Sequence, residues 1–314
     1  MKILIDTDCG TDDLMGIIYL VSHPDVQIVG VTTVHGLTSA KKGAMNVRRL
    51  LQRLGAAAIP VYVGAELPIG RPCAFPIDWI TQTELLPGVG LPPPSAHLTN
   101  ISGVEFIATQ LCTCEPPIIF ALGPWTNIEH AIASLGPLFQ SKSLNLFAMG
   151  GALDTHGNVL PDAIGGAPDP HAEWNFYLDP IAVARVFARG VLPTLVPLDA
   201  TKTGAIRNSL ISALSGANGT EASRLVREII RSVENWIDEG HYFAWDAVAA
   251  VLLLNPEIGN LLPQSITITT EGEYAGRTKR IKGGFDAMCF MNADIDGFER
   301  EFVSKLLHSP ASPH

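Results

Sequence analysis

The stretch Ile3-Leu4-Ile5-Asp6-Thr7-Asp8-Cys9-Gly10-Thr11-Asp12-Asp13 decides the fold of this chain. Its three leading apolar residues predict a buried strand. Beyond the acidic loop, the apolar residues Leu14, Ile17, Ile18 and Val21 recur at the spacing of a helix. The loop therefore follows the carboxyl end of a strand and opens a helix, and open α/β sheets bind their ligands at that end of the strands.

The loop carries four carboxylates within eight residues, at Asp6, Asp8, Asp12 and Asp13. Like charges held this close repel one another unless a cation lies among them or some are protonated. Asp residues also cap helices and favour their positive end, but capping accounts for one or two carboxylates and not for four. We therefore predict a metal site here.

The chain up to about residue 200 predicts an α/β fold. Its strand and helix patterns alternate, which is typical of an open, mostly parallel sheet flanked by helices, a Rossmann-like core over about residues 3–200. The predicted strands are 2–5, 26–34, 60–63, 117–122, 144–149 and 193–197; the predicted helices are 13–23, 39–54, 102–114, 126 onward and 179–189.

The remainder, about 201–307, is predicted to be a mainly helical C-terminal region. Its predicted helices are 203–214, 220–238, 245–254 and 295–307, and its short strands lie near 265–270 and 287–292. Long Gly- and Pro-rich loops are predicted at 65–100 and between 150 and 171, and loops of such length usually carry function. We find no linker and no internal repeat, and we expect one domain over residues 1–314.

Composition and charge limit the classes of partner. The formal charge of −10 and the lack of a dense Lys/Arg run argue against nucleic acid. No apolar run reaches the roughly 18 residues of a membrane span. Five scattered cysteines and a strand that starts at the second residue lead us to expect reduced thiols, no signal peptide and a cytoplasmic location. A small substrate fits best, either neutral or cationic, or bound through a metal.

Three further stretches contain candidate site residues. Asn158 lies in a Gly/Pro/Asp-rich loop, Glu173-Trp174-Asn175 combines an acid, an aromatic ring and an amide, and Trp245-Asp246 opens a predicted helix. An Asp at a helix start is most often a cap, and a Glu-x-Asn pair alone indicates little. Their order along the chain is more informative than any one of them.

Taken together, these motifs resemble the nucleoside hydrolase family, the metal-dependent N-ribohydrolases of the inosine-uridine preferring type. The opening motif is similar to the family's DxDxGxDD pattern, with Cys9 where Pro is usual. The other matching motifs follow in family order: Ala121–Ile128, Met149-Gly150-Gly151, Gly157-Asn158, Ala172–Asn175, Asp179-Pro180, Leu198–Thr201 and Trp245-Asp246. The resemblance runs from residue 3 to about residue 302.

The resemblance implies Ca²⁺-dependent hydrolysis of the N-glycosidic bond of a ribonucleoside, giving ribose and free base. It implies that Asp8, Asp13, Asp246 and the backbone carbonyl of Leu122 bind the Ca²⁺ ion. Such an all-oxygen set suits a hard cation. The ion would hold the 2′- and 3′-hydroxyls and a water, whose proton Asp8 would take.

The resemblance also implies a set of ribose contacts. Asp12 would accept a hydrogen bond from the 2′-hydroxyl, Asn158 and Asn175 would hold the ribose, and Glu173 would take the 5′-hydroxyl. Asp6 would orient the loop. A homo-oligomer, either a dimer or a tetramer, and a role in purine salvage are further expectations from the family.

The sequence departs from the family pattern in two places. Many members have an Asn shortly after the second strand; here the residue is Leu37, which has no polar side chain, so the ribose either lacks this hydrogen bond or receives it from His35. The pyrimidine-tolerant branch has a His as leaving-group acid where this chain has Trp245. Because Trp can stack on a base but cannot protonate it, we expect a purine or purine-like base, with Trp79 either on its opposite face or packing the loop. His241 is either a substitute acid or a bystander.

Two alternatives remain at this point. A phosphohydrolase of the haloacid-dehalogenase type also begins with a strand ending in DxD, but it needs a Thr at the position of Gly10. A nucleoside-binding protein could keep the ribose and metal contacts with little turnover. A reducing-sugar assay separates this second alternative from a hydrolase.

Overall fold

The structure is a computed structural model that describes residues 1–70, 72–93, 99–141, 144–159, 170–215 and 219–308. Within these ranges, nine strands form one sheet in the order β3-β2-β1-β4-β5-β6-β9-β7-β8. The strands are β1 (Lys2–Thr7), β2 (Gln27–Thr33), β3 (Val61–Val63), β4 (Ile118–Ala121), β5 (Leu146–Met149), β6 (Thr194–Val196), β7 (Gly259–Ile268), β8 (Thr278–Arg280) and β9 (Phe285–Ala293).

The helices in the same ranges flank this sheet. They are α1 (Thr11–Val21), α2 (Ala40–Arg53), α3 (Ile77–Leu85), α4 (Gly103–Leu111), α5 (Thr126–Leu135), α6 (Trp174–Leu178), α7 (Pro180–Ala188), α8 (Leu198–Thr201), α9 (Asn208–Leu214), α10 (Glu221–Ser232), α11 (Glu234–Asp238), α12 (Trp245–Leu254) and α13 (Ile295–Leu307). None of them is long and apolar enough to cross a membrane.

The sheet is mostly parallel, as predicted. β1 pairs in parallel with β2 on one side and with β4 on the other, and β7 is antiparallel to both β8 and β9. The strand order therefore reverses between β1 and β4. This is the topological switch point of a doubly wound sheet, where a crevice opens at the carboxyl ends of the strands.

Two apolar cores cover the two faces of the sheet. Successive residues of a strand point to opposite faces, so Ile3 and Ile5 pack in one core and Leu4 in the other. Helices α1, α2, α10, α12 and α13 contribute to the first core, and α4, α5 and α7 to the second. Both faces of the central strands are buried, which explains their continuous apolar runs.

Several predicted elements differ from those observed. The loop predicted at 65–100 contains α3, a helix whose sole buried residue is Thr83, so its sequence has little of the apolar periodicity that marks a helix. The helix predicted at 220–238 is interrupted at Val233, and that predicted at 203–214 begins only at Asn208. β7 begins at Gly259, and the unpredicted β8 pairs with it, so the C-terminal region extends the sheet. The predicted second loop lies partly outside the described residues, at 160–169.

Candidate active site

The acidic loop lies at the switch point between β1 and β4. The N–H of Leu122, which directly follows β4, donates to the carbonyl of Asp6 at 2.7 Å. A cavity of about 390 Å³ opens beside the loop. Its wall includes eleven of the predicted site residues, Asp8, Asp12, Asp13, Trp79, Leu122, Asn158, Glu173, Asn175, His241, Trp245 and Asp246. The fold therefore brings together residues from both ends of the chain.

Three carboxylates form a cluster on one side of this cavity. One oxygen from each of Asp12, Asp13 and Asp246 lies within 4.8 Å of the others, and all three residues are buried. α1 supplies the first two and α12 the third, and these helices pack so closely that a Cβ at Gly16 of α1 would lie 3.1 Å from the Asp246 carbonyl oxygen. Asp8, a predicted ligand, lies beside the cluster, near enough for its charge to raise the pKa of Asp13 and Asp246.

The cluster brings three buried carboxyl groups together, and no positive group is a leading influence on their pKa values among the described residues. Burial raises the pKa of Asp12 to about 6, and it raises the pKa values of Asp13 and Asp246 well above the usual range, where the neighbouring carboxylates raise them further. Oδ1 of Asp246 is buried without a hydrogen-bond partner among the described residues. An all-oxygen set with an unpartnered carboxylate oxygen fits a hard divalent cation.

Helix capping does not explain the loop. The N-cap residue of α1 is Gly10, which has no side chain to cap with, and the Thr7 hydroxyl donates instead to Asp13. The same hydroxyl accepts from the Cys9 N–H at 2.9 Å. Cys9 has a left-handed φ of 64°, which a proline could not adopt. At this position the structure thus differs from the loop that the family's usual Pro would form.

Asp8 is held by the turn that follows β2. The Leu37 N–H donates to Oδ2 of Asp8 at 2.9 Å, and the Thr38 hydroxyl donates to the Asp8 carbonyl at 2.8 Å. A Cβ at Gly36 would lie 2.0 Å from that same Oδ2, so only glycine lets the turn approach this closely. Burial raises the pKa of Asp8 to about 7.

The prediction that His35 could supply a ribose hydrogen bond in place of Leu37 needs correction. The imidazole of His35 is not part of the cavity wall; it is buried, with Nε2 2.9 Å from the Thr126 hydroxyl, which in turn donates to Asp179 at 2.7 Å. Burial lowers the pKa of His35 to about 4. The ring joins the end of β2 to the starts of α5 and α7, while Leu37 itself lines the cavity.

Three further polar side chains, Asn158, Glu173 and Asn175, line the same cavity. Glu173 caps α6 and accepts from three backbone N–H groups, those of Gly151 and Asn175 at 2.9 Å and that of Phe176 at 3.2 Å. Asn175 donates its Nδ2 to the Met149 carbonyl at 3.1 Å, which leaves Oδ1 as an acceptor. Oδ1 of Asn158 accepts from Trp174 N at 3.1 Å, which leaves Nδ2 as a donor.

Several aromatic side chains also line the cavity. Trp245 begins α12 and Trp79 lies on α3; both rings line the cavity. Trp79 packs against Trp236 with ring centroids 5.5 Å apart, and Phe75 stacks on Trp174 at 4.0 Å. The sequence predictions missed Phe75 and Trp236. Phe75 shares a segment with Trp79, but Trp236 carried no signal of its own.

Besides its carboxyl groups, the described cavity wall contains His241, Tyr242 and Lys202 as candidate proton donors. His241 is exposed at the rim. The Tyr242 hydroxyl is 2.9 Å from the Thr11 hydroxyl, and burial raises its pKa well above the usual range. Lys202, which the sequence predictions also missed, is the one Lys or Arg that the described residues contribute to this wall.

The chain is similar in sequence to known ribonucleoside hydrolases. The family model described as inosine-uridine preferring nucleoside hydrolase matches residues 3–300. Uridine nucleosidase 1 of Arabidopsis thaliana is 29% identical over 287 residues, covering 90% of this chain and 82% of the relative. The pyrimidine-specific ribonucleoside hydrolase RihA of Escherichia coli is 31% identical over 284 residues, covering 87% of this chain and 86% of the relative.

A solved structure shares the fold. The purine-preferring ribonucleoside hydrolase from Gardnerella vaginalis superposes with a TM-score of 0.84 at 23% identity, covering 99% of this chain and 100% of the other. The family match over nearly the whole chain removes the haloacid-dehalogenase alternative. The chain therefore belongs to the inosine-uridine preferring nucleoside hydrolases, enzymes that hydrolyse the N-glycosidic bond of ribonucleosides.

Proposed function

We propose that this protein hydrolyses purine ribonucleosides to ribose and free base with the help of a bound Ca²⁺ ion. The observation that carries the proposal is the buried cluster of Asp12, Asp13 and Asp246, which faces the same cavity as Glu173 and Asn175. Clustered carboxylate oxygens together with further carboxylate and amide groups in one cavity suit a polyhydroxylated sugar better than a flat aromatic ligand.

The residues present fit the cation. Asp13 and Asp246, with Asp8 and the Leu122 carbonyl, would hold it, and the proximity of Asp12 makes this residue a further candidate ligand. When bound, Ca²⁺ supplies an electrostatic contact for the ribose hydroxyls and lowers the pKa of a water molecule. Oxygen-only ligation favours Ca²⁺ or Mg²⁺ over softer metals.

The chain's own groups orient the sugar and move the proton. Asp8 accepts a proton from the attacking water, and the Leu37 N–H keeps its carboxylate in place for this task. Asn158 Nδ2 donates to the ribose, and Asn175 Oδ1 accepts from it. Glu173, with three N–H groups already bound, accepts from the 5′-hydroxyl. Water then attacks C1′ of an oxocarbenium-like sugar while the N-glycosidic bond breaks, its electron pair goes to the nitrogen of the base, and this nitrogen takes up a proton from solvent to give the free base.

The proposed base preference rests on Trp245 and Trp79. A positioned general acid contributes roughly 10²–10⁴-fold, whereas one aromatic stack contributes about 0.5–1.5 kcal/mol. Stacking thus replaces an acid only in part, and it favours the larger purine ring. The named relatives divide between uridine or pyrimidine and purine, so the base must be decided by assay.

The test is ribose release from inosine, adenosine, guanosine and uridine, with and without exhaustive chelation. We expect turnover of the purines, slow turnover of uridine, and loss of activity on chelation that Ca²⁺ restores. 2′-Deoxyinosine should react ~10³-fold more slowly, because buried polar groups built for the hydroxyl are left unpaired.

A matched pair of variants checks the metal site. Asp246→Asn should abolish turnover, and the exposed Asp286→Asn should leave it unchanged. Full activity after chelation would refute the metal role. Binding of inosine without any ribose release would favour a nucleoside-binding protein instead. Light scattering tests whether the protein forms the dimer or tetramer implied by the family.

A further inference from the structure

The short helix α8 holds the segment that leads to Asn158 from one side. Asp199 accepts hydrogen bonds from the backbone N–H of Leu153 at 2.8 Å and from that of Asp154 at 2.7 Å. Each of the two carboxylate oxygens thus accepts a hydrogen bond from one of two successive backbone N–H groups. Hydrogen bonds to a charged acceptor are shorter and stronger than neutral ones, so this contact fixes the backbone at the start of the segment.

Lys202 holds the same segment from the other end of α8. Its ammonium donates to the backbone carbonyl of His156 and, at 3.3 Å, to the Thr155 hydroxyl. The next residues along the chain are Gly157 and Asn158, and both line the cavity. A Cβ at Gly157 would lie 1.9 Å from the Ala172 carbonyl, so the backbone is closely packed where it enters the cavity.

The residues after Lys202 are joined to a different wall. The Ala244 N–H donates to the Gly204 carbonyl at 2.8 Å, and Ala205 pairs with Phe243 in an antiparallel bridge. A Cβ at Gly204 would lie 2.5 Å from the Val248 side chain. The segment 243–244 leads directly into α12, whose first two residues are Trp245 and Asp246.

We infer that residues 199–205, here called the bracket, set the position of Asn158 relative to Trp245 and Asp246. In this role Asp199 and Lys202 are positioning residues, which act on the substrate through Asn158. The inference rests on the proposed function, because it assigns the ribose contact to Asn158. The side chains of Asp199 and Lys202 hold the segment 153–156, and the backbone of Gly204 and Ala205 is paired with the segment 243–244.

The consequence for catalysis follows from geometry. A displacement of a substrate-holding group by about 1 Å can cost on the order of 10²-fold in rate. Lys202→Met keeps the length and apolar stem of the side chain but removes both hydrogen bonds. We expect kcat for inosine to fall about 10- to 100-fold with a change in KM below about threefold, because the ribose is still bound but is held less accurately.

Further variants test whether Lys202 acts by positioning Asn158. Lys202→Arg should recover most of the loss, since a guanidinium can donate to both oxygens. Lys279→Met, at an exposed lysine on β8, is the control and should stay within twofold of wild type. In an Asn158→Ala background, Lys202→Met should lower kcat little further, because the effects of substitutions at two residues that act through one contact do not add.

An aryl riboside with an activated leaving group, 4-nitrophenyl riboside, decides between positioning and proton donation. Lys202→Met should slow this substrate as much as inosine, because both contain the same ribose. A loss confined to inosine would overturn the inference and make Lys202 the leaving-group acid. Additive effects of Lys202→Met and Asn158→Ala would also overturn it.

A measurement without turnover keeps the inference separate from the proposed function. Amide hydrogen exchange over residues 151–159 should be faster in Lys202→Met than in wild type and unchanged in Lys279→Met. Unchanged exchange in Lys202→Met would overturn the bracket whatever the activity. Absence of ribose release by wild type would instead contradict the proposed function, while faster exchange in the variant would still support the bracket.

Discussion

Glu173→Gln tests the proposed contact between Glu173 and the 5′-hydroxyl of the ribose. The Glu173 carboxylate accepts from Gly151 N, Asn175 N and Phe176 N, at distances of 2.9, 2.9 and 3.2 Å. Glutamine keeps one acceptor oxygen and places an NH₂ group where the other oxygen was. At least one backbone N–H then faces a donor instead of an acceptor, at a site that is 1% exposed.

The expected loss of stability can be worked out from these contacts. A buried donor left unsatisfied costs about 1–3 kcal/mol, and roughly 2–4 °C in Tm accompanies each kcal/mol in a protein somewhat smaller than this one. Burial raises the pKa of Glu173 from 4.5 to about 7. A carboxyl with a raised folded pKa stabilises the protein fully below 4.5, and this contribution is lost as the pH rises through 7. The deficit of Glu173→Gln should therefore be largest below pH 4.5 and shrink as the pH rises through 7.

Activity on inosine and 5′-deoxyinosine completes this test. A hydrogen bond to a charged group contributes about 1.5–3 kcal/mol, so wild type should prefer inosine by roughly 10- to 100-fold in kcat/KM. Glu173→Gln should discriminate clearly less, with the loss confined to the substrate that has the hydroxyl. Equal discrimination by wild type and variant would refute the assignment of the 5′-hydroxyl to Glu173.

Four further predictions address other parts of the site. Asp8→Asn should lower kcat by at least about 10³-fold with little change in Tm, because the volume stays and the proton acceptor goes; near-normal kcat contradicts this. Trp245→Ala should raise KM for inosine and adenosine about tenfold and affect uridine less, as steady-state kinetics can show. Because the pKa of His35 is lowered from 6.5 to about 4, its contribution is present above 6.5 and lost as the pH falls through 4, and His35→Gln should flatten the Tm profile over that range. Cys9→Pro should lower Tm, since proline cannot adopt φ 64° or donate to Thr7; an unchanged Tm would show that the loop takes another conformation.

The sequence predicted the fold where its patterns were strong and long. Ile3, Ile5 and Leu4 are all fully buried, so the run they form is a reliable strand signal. α3 was missed because it buries almost none of its residues. Its apolar residues Ile77 and Leu85 are exposed, so they do not form the periodic buried face that marks a helix in a sequence. Its position depends on contacts with distant elements, such as the Gln82 side chain on the Ser232 carbonyl, which local propensity does not include.

The acidic part of the site was predictable for two reasons. Four carboxylates close together at the end of β1 repel one another unless a cation or protonation offsets their charge, and this holds for any path of the rest of the chain. The family motif then added Asp246, more than two hundred residues away, and the packing of α1 against α12 brings it to Asp12 and Asp13. The sequence placed Asp12 among the ribose contacts only, whereas the structure places its carboxylate within the cluster.

The rest of the site depends on which part of a residue faces the cavity, and residue identity does not show this. An apolar side chain at Leu37 suggests a position without a polar role, yet the Leu37 backbone N–H donates a hydrogen bond to the Asp8 carboxylate. A backbone donor is present in every residue except proline, so no sequence pattern marks it. Likewise, Lys202 directly follows the motif Leu198–Thr201, but its contact with the His156 carbonyl depends on the path of the segment 153–156, which the motif does not predict. Groups of this kind are identified by three-dimensional contacts, and substitutions that preserve side-chain volume but remove one donor are the way to measure them.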